Sequence, residues 1–284
     1  MKQISRIRPD VHIILQMLAP IMIFSIFGIN LSSCALLQTR QDRESLKQKA
    51  DILEGELILI KKLVDEGKAE KAWMTMRLLL QDHSDHPEAL NLSGLIHLAL
   101  DNHPKSIQYF KKSYKLKPSI ASGLNLSSAY IASGQYRTAR KTLIRLIRSS
   151  QKYLYRERLW HNLALTWEKD KNLLKAERYY RKALKVNPTY FLSLIRLASV
   201  SKQRGQTGKA ISLYQKAHRN CKGCFEPVNE LANHYLQTAQ YSSAVKILSN
   251  YLKTQQKILP RERDQAKHLL NLANRVNRRQ NRAK

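Results

Sequence analysis

Residues 157–190 read ERLWHNLALTWEKDKNLLKAERYYRKALKVNPTY, and this stretch decides the fold. Trp160, Leu163 and Trp167 recur at helical spacing and give a first helix one apolar stripe. Ala176, Tyr180 and Ala183 follow at the spacing of a second helix, which Pro188 stops because proline cannot donate into the helical ladder. Ala164 and Ala176 are small, as they must be if the two helices cross closely there. Small residues recur far beyond this stretch: Ala72, Ser106, Ala139, Ala176, Ala210 and Ala244 lie 34, 33, 37, 34 and 34 residues apart. A period near 34 with two helices per unit defines a helical solenoid, in which each unit buries its apolar face only against its neighbours.

The same positions recur in register at 191–224 (Leu194, Leu197, Ala198, Gly205, Tyr214, Ala217) and at 225–258 (Leu231, Ala232, Tyr235, Leu248). Upstream, 120–153 carries Leu126, Tyr130, Gly134, Tyr136 and Leu143, and 87–120 carries Leu90, Gly94, Phe110 and Pro118. The stretch 53–86 keeps Leu59, Gly67 and Met76, but its terminating Pro87 lies three residues late. This pattern resembles the tetratricopeptide (TPR) repeat, so the expected fold is an all-α, right-handed α-solenoid of about six TPR helix-turn-helix units. A polar capping helix at 259–284, centred on Arg261 to Asn277, would give the last unit a solvated outer face, with the Arg-rich tail Arg275 to Lys284 fraying. The 37-residue interval places a longer loop near Gln151 to Arg156.

The first 33 residues read differently. Lys2, Arg6 and Arg8 precede an apolar run from Val11 to Ile29 and then Leu31-Ser32-Ser33-Cys34, an order that resembles a bacterial lipoprotein export signal. Cys34 would then be the lipidated first residue of the mature chain, anchored by acyl chains. An uncleaved transmembrane anchor is the alternative, since roughly 20 apolar residues span a bilayer core. Ala35 and Leu36 lack the Asp of an inner-membrane retention signal, which favours the outer membrane, facing the periplasm. Residues 34–52 read as a polar tether.

The chain has 50 Lys and Arg against 21 Asp and Glu, a net charge of +29. Removal of residues 1–33 leaves a surplus of 27. Such a surplus suits nucleic acid, but export excludes it as a partner. The basic surface is left to acidic protein, anionic lipid or cell wall, or to solubility alone. No nucleophile triad, Gly-rich phosphate loop or inward carboxylate pair can be assembled, so no enzyme, cofactor or metal site is expected.

In TPR folds, five positions of the first helix line a concave groove. Here they include Leu95, Leu98, Leu124, Ile131, Leu165, Leu192 and Ile195, edged by Arg158, His161, Lys202 and Asn233. These residues are the candidate protein-binding groove, apolar in the middle and basic at its margin, unless the register is one residue out and some are core. Leu124 and Leu192 stand where a clamp for peptide carboxylates needs Lys, which excludes that ligand. Cys221 and Cys224 fall between the fifth and sixth units; a local disulfide, a metal site with His218, and thiol exchange are the alternatives.

A lipobox, a short tether and six TPR units together resemble the type IV pilus biogenesis lipoproteins of the pilotin class. The resemblance is carried by Trp160-His-Asn-Leu-Ala-Leu through Ala176 to Asn187-Pro188 and on from Leu194 to Gly205. It implies a scaffold on the inner leaflet of the outer membrane that helps the secretin subunit reach that membrane and multimerise. A scaffold in outer-membrane β-barrel insertion is the alternative, and a thiol-disulfide protein a third.

Overall fold

The computed structural model describes residues 45, 47, 48, 50–149, 155–254 and 258–282. The expected leader at 1–33, Cys34 and most of the loop expected near Gln151 to Arg156 lie outside the described residues. The chain divides into two compact units between Lys62 and Leu63. In the first, residues 50–62 belong to helix α1 (50–65), on which Leu57 and Ile60 are buried and Ile52, Ile58 and Leu59 exposed. Residues 45, 47, 48 and 50–52 are thus already helical, although the sequence assigns them to a tether.

The second unit is a run of helices without a described strand: α2 (Ala69–Asp82), α3 (Pro87–Ala99), α4 (His103–Leu116), α5 (Ile120–Ala132), α6 (Tyr136–Ser149), α7 (Arg156–Lys169), α8 (Leu173–Val186), α9 (Phe191–Gln203), α10 (Thr207–Asn220), α11 (Phe225–Gln237), α12 (Tyr241–Thr254) and α13 (Pro260–Arg282). Odd-numbered helices from α3 to α11 are the first of each repeat (A) and the even ones the second (B). The fold is an all-α solenoid of TPR units. Pro87 does not end the first repeat; it opens α3, where a missing N–H costs nothing, behind a His86 side chain that caps Ala89 N–H.

One backbone device closes every A helix. Residues 67, 101, 134, 171, 205 and 239 all have positive φ. The residue after each bonds back five positions, as in Asn102 N–H to His97 carbonyl at 2.8 Å and Gln135 N–H to Tyr130 carbonyl at 2.8 Å. This is a Schellman cap, which satisfies the carbonyls a helix end leaves orphaned. Asn102 and Asn172 then cap the B helices by accepting from Lys105 and Lys175 N–H.

Each small residue of the ladder, Ala72 to Ala244, is at most 1% exposed. Gly94 faces the ring of Phe110, itself fully buried, where A and B helices cross. Ser106 fits the alanine position because its hydroxyl donates to the Gly94 carbonyl at 2.8 Å, so its own buried oxygen is paired. Ala266, Leu269 and Ala273 seal the last unit from α13, which packs on α12 and α11. That helix runs on to Arg282, so the described part of the Arg-rich tail is helical rather than frayed.

Candidate functional site

Neighbouring A helices touch, α3 with α5, α5 with α7 and α7 with α9, whereas no two B helices approach so closely among the described residues. The A helices therefore line the inner side of the solenoid's curve and the B helices its outer side.

Polar side chains bridge successive A helices on this inner side. Asn125 donates to Asn91 Oδ1 at 3.0 Å and Asn162 to Ser128 Oγ at 3.3 Å. Further along, Arg196 lies 3.7 Å from Glu168, Lys202 donates to Glu230 at 2.6 Å, and Gln265 of α13 donates to Asn229 at 3.1 Å. Sequence reading missed the acids Glu168 and Glu230 and the ladder they complete. The signal was present in the spacing of 34 between Asn91 and Asn125, and of 28 between Glu168 and Arg196 and between Lys202 and Glu230.

The eleven groove candidates separate into two groups. Leu124, Ile131, His161 and Ile195 are less than a tenth exposed, covered within the solenoid, so they are core and offer a partner little surface. Leu124 packs with Leu143, Leu146, Leu159 and Leu163; Ile195 packs with Leu231 of the next unit. Leu95, Leu98, Leu165 and Asn233 are half-buried, and Arg158, Leu192 and Lys202 are exposed; these seven remain available to a partner. The margin is also less basic than expected, because five Lys and Arg on the A helices α3 to α11 are matched by five Glu.

His161 is the most perturbed group on this side. Its Nδ1 lies 3.0 Å from Ser193 Oγ and its ring is wedged between Tyr180 and Tyr190, at 5.4 and 5.5 Å. Burial first, then the charges of Arg196 and Arg158, lowers its pKa to about 4, so it sits neutral in the fold.

Cys221 and Cys224 form a disulfide with Cα atoms 5.4 Å apart, joining the C-terminal cap of α10 to the N-terminal cap of α11. No group of three or more His, Cys, Asp and Glu able to hold a metal occurs among the described residues. Closing so short a loop removes little freedom from the unfolded chain. Reduction should therefore lower unfolding free energy by about 2 kcal/mol at most. Denaturant midpoints with and without reductant, and for Cys221→Ser with Cys224→Ser, measure it; a larger loss would mean that the bridge also holds α11 in place.

Fold and inner face together define a TPR scaffold. Residues 157–190 and 87–120 each match a tetratricopeptide repeat family model. Among solved structures, PilW, a widely conserved type IV pilus biogenesis factor, is similar at TM-score 0.59 and 14% identity, over 72% of this chain and 93% of that one. PilF of Pseudomonas aeruginosa is similar at 0.57 and 14%, over 76% and 97%. A tetratricopeptide repeat protein from Parabacteroides merdae matches at 0.59 and 14%, over 77% and 82%. No curated protein matches the chain in sequence. At such identities the likeness is one of fold.

Proposed function

We propose that this chain is a lipid-anchored TPR scaffold of the bacterial outer membrane that binds the type IV pilus secretin subunit on its inner face and promotes secretin multimerisation. The observation that carries this reading is the TPR solenoid itself, whose span matches almost the full length of PilW, in a chain whose sequence reads as an export signal at 1–33 followed by Cys34. The half-buried Leu95, Leu98 and Leu165, beside the exposed Leu192, supply apolar contact area. The polar bridges between A helices hold that area in one curvature, so a partner docks on a preformed surface.

Deleting the gene should abolish detergent-resistant secretin multimers while monomer persists, and Cys34→Ala should reproduce the defect by releasing the scaffold from its membrane. Normal multimers in the deletion strain would sink the proposal. A simultaneous fall in many unrelated β-barrel proteins would point instead to the barrel-insertion machinery.

A further inference from the structure

From α3 to α12 the positive charge of this chain is sorted by helix. The B helices α4, α6, α8, α10 and α12 hold four, five, five, three and two Lys and Arg, against a single acid, Glu177. The A helices facing the inner side are balanced, five against five. Charge placed for solubility alone has no reason to avoid one side of a solenoid.

Nor is the outer charge neutralised from nearby. Glu177 draws in Arg181, Arg204 and Lys209, Asp85 pairs with Lys112, and Asp170 pairs with Arg140. Lys141, Arg145, Arg178 and Lys185 are exposed and have no ion-pair partner among the described residues. Apolar side chains stand among them: Ile144 is 38% exposed, Leu174 67%, and Leu116 and Val186 lie open on α4 and α8. On the A helices α3 to α11, Leu192 alone of the large apolar residues is comparably exposed among the described residues.

We propose that the outer face formed by α4, α6 and α8 lies on a bilayer surface rich in anionic lipid. Cations spread over successive helices suit a plane of headgroup charge, and interleaved aliphatic side chains enter the headgroup and acyl boundary, where a nucleic acid backbone offers them nothing. The choice of lipid rests on the export reading of residues 1–34; the charge sorting stands without it. Seated this way, the solenoid turns its neutral inner face away from the membrane and toward a partner.

The test is cosedimentation of the full chain with vesicles of phosphatidylcholine alone or with three parts in ten phosphatidylglycerol. An apolar leader or acyl anchor partitions into both, so the ratio between them reports the outer face and leaves the anchor question apart. Binding at least tenfold tighter to the anionic vesicles is expected, falling toward parity in high salt and with Lys141→Glu, Arg145→Glu, Arg178→Glu and Lys185→Glu combined. Ile144→Gln with Leu174→Gln should weaken anionic-vesicle binding several-fold while leaving binding to a duplex DNA oligomer unchanged. Circular dichroism and melting identify any variant that fails to fold, and the salt dependence of the unaltered chain stands without variants. A ratio near one, a ratio insensitive to charge reversal, or displacement from vesicles by the DNA oligomer at equal phosphate would overturn the proposal.

Discussion

Gly94→Leu should unfold the second repeat or cost more than 3 kcal/mol, and Gly94→Ala should already destabilise by about 1–2 kcal/mol. In an exposed helix the glycine-to-alanine change gains roughly 1 kcal/mol, because alanine loses less backbone freedom on folding. Here a Cβ on Gly94 would sit 2.6 Å from two ring carbons of Phe110 and 2.8 Å from a third. A buried ring at the helix crossing cannot swing aside without opening the core, so overpacking outweighs propensity. Gly123 provides the contrast. Its added Cβ would meet the two methyl carbons of Leu146 at 2.8 Å, the tip of a flexible side chain, and Gly123→Ala should cost less. Denaturant unfolding measures each change. Gly94→Ala combined with Phe110→Leu completes a double-mutant cycle whose coupling should be favourable; strict additivity would show that the two side chains do not compete for this space.

Acidification should weaken the fold through His161, by on the order of 3 kcal/mol between pH 6.5 and pH 4. The sign follows from its lowered pKa. Below 6.5 the unfolded chain takes up a proton that the folded chain refuses until about pH 4, where charging the imidazole at last competes with burial and with Arg196 and Arg158. Unfolding is favoured throughout that window and unaffected above it. Replacement with a neutral, non-titrating residue, His161→Gln, removes this part of the pH dependence while lowering stability near neutrality through lost packing against Tyr180 and Tyr190. The difference between the two stability-pH curves isolates the histidine from the carboxylates that titrate alongside it. Parallel curves would place the proton elsewhere.

Architecture was readable because a TPR unit writes its own constraints locally. Small residues must stand where helices cross, and Ala139, Ala176 and Ala210 do. The groove was less readable, since exposure on an A helix depends on the helix of the next unit. Leu124 and Leu165 are both apolar residues on A helices, yet Leu124 is covered by α6 and α7 side chains while Leu165 stays half-open. His161 looked like an edge residue until Ser193, 32 positions later, closed over it. The continuation of α13 past Asn277 also escaped the sequence reading, which weighed the Arg-rich composition above the helix that Ala266, Leu269 and Ala273 had begun. Net charge was evident from composition, but its division between inner and outer faces required the helices to be placed first.

The positive-φ residues at 67, 101, 134, 171, 205 and 239 repeat at 34, 33, 37, 34 and 34, the same intervals as the small-residue ladder. Only half of these positions hold glycine; Asp101, Lys171 and Ala239 adopt the left-handed conformation despite its cost to residues with a Cβ. The period is therefore kept by the main chain even where the side chain argues against it. Such a protein lengthens or shortens most readily by whole repeats, because a cut in one repeat rejoined at the equivalent place in the next restores the same junction, whereas a change of any other length leaves a helix without its end.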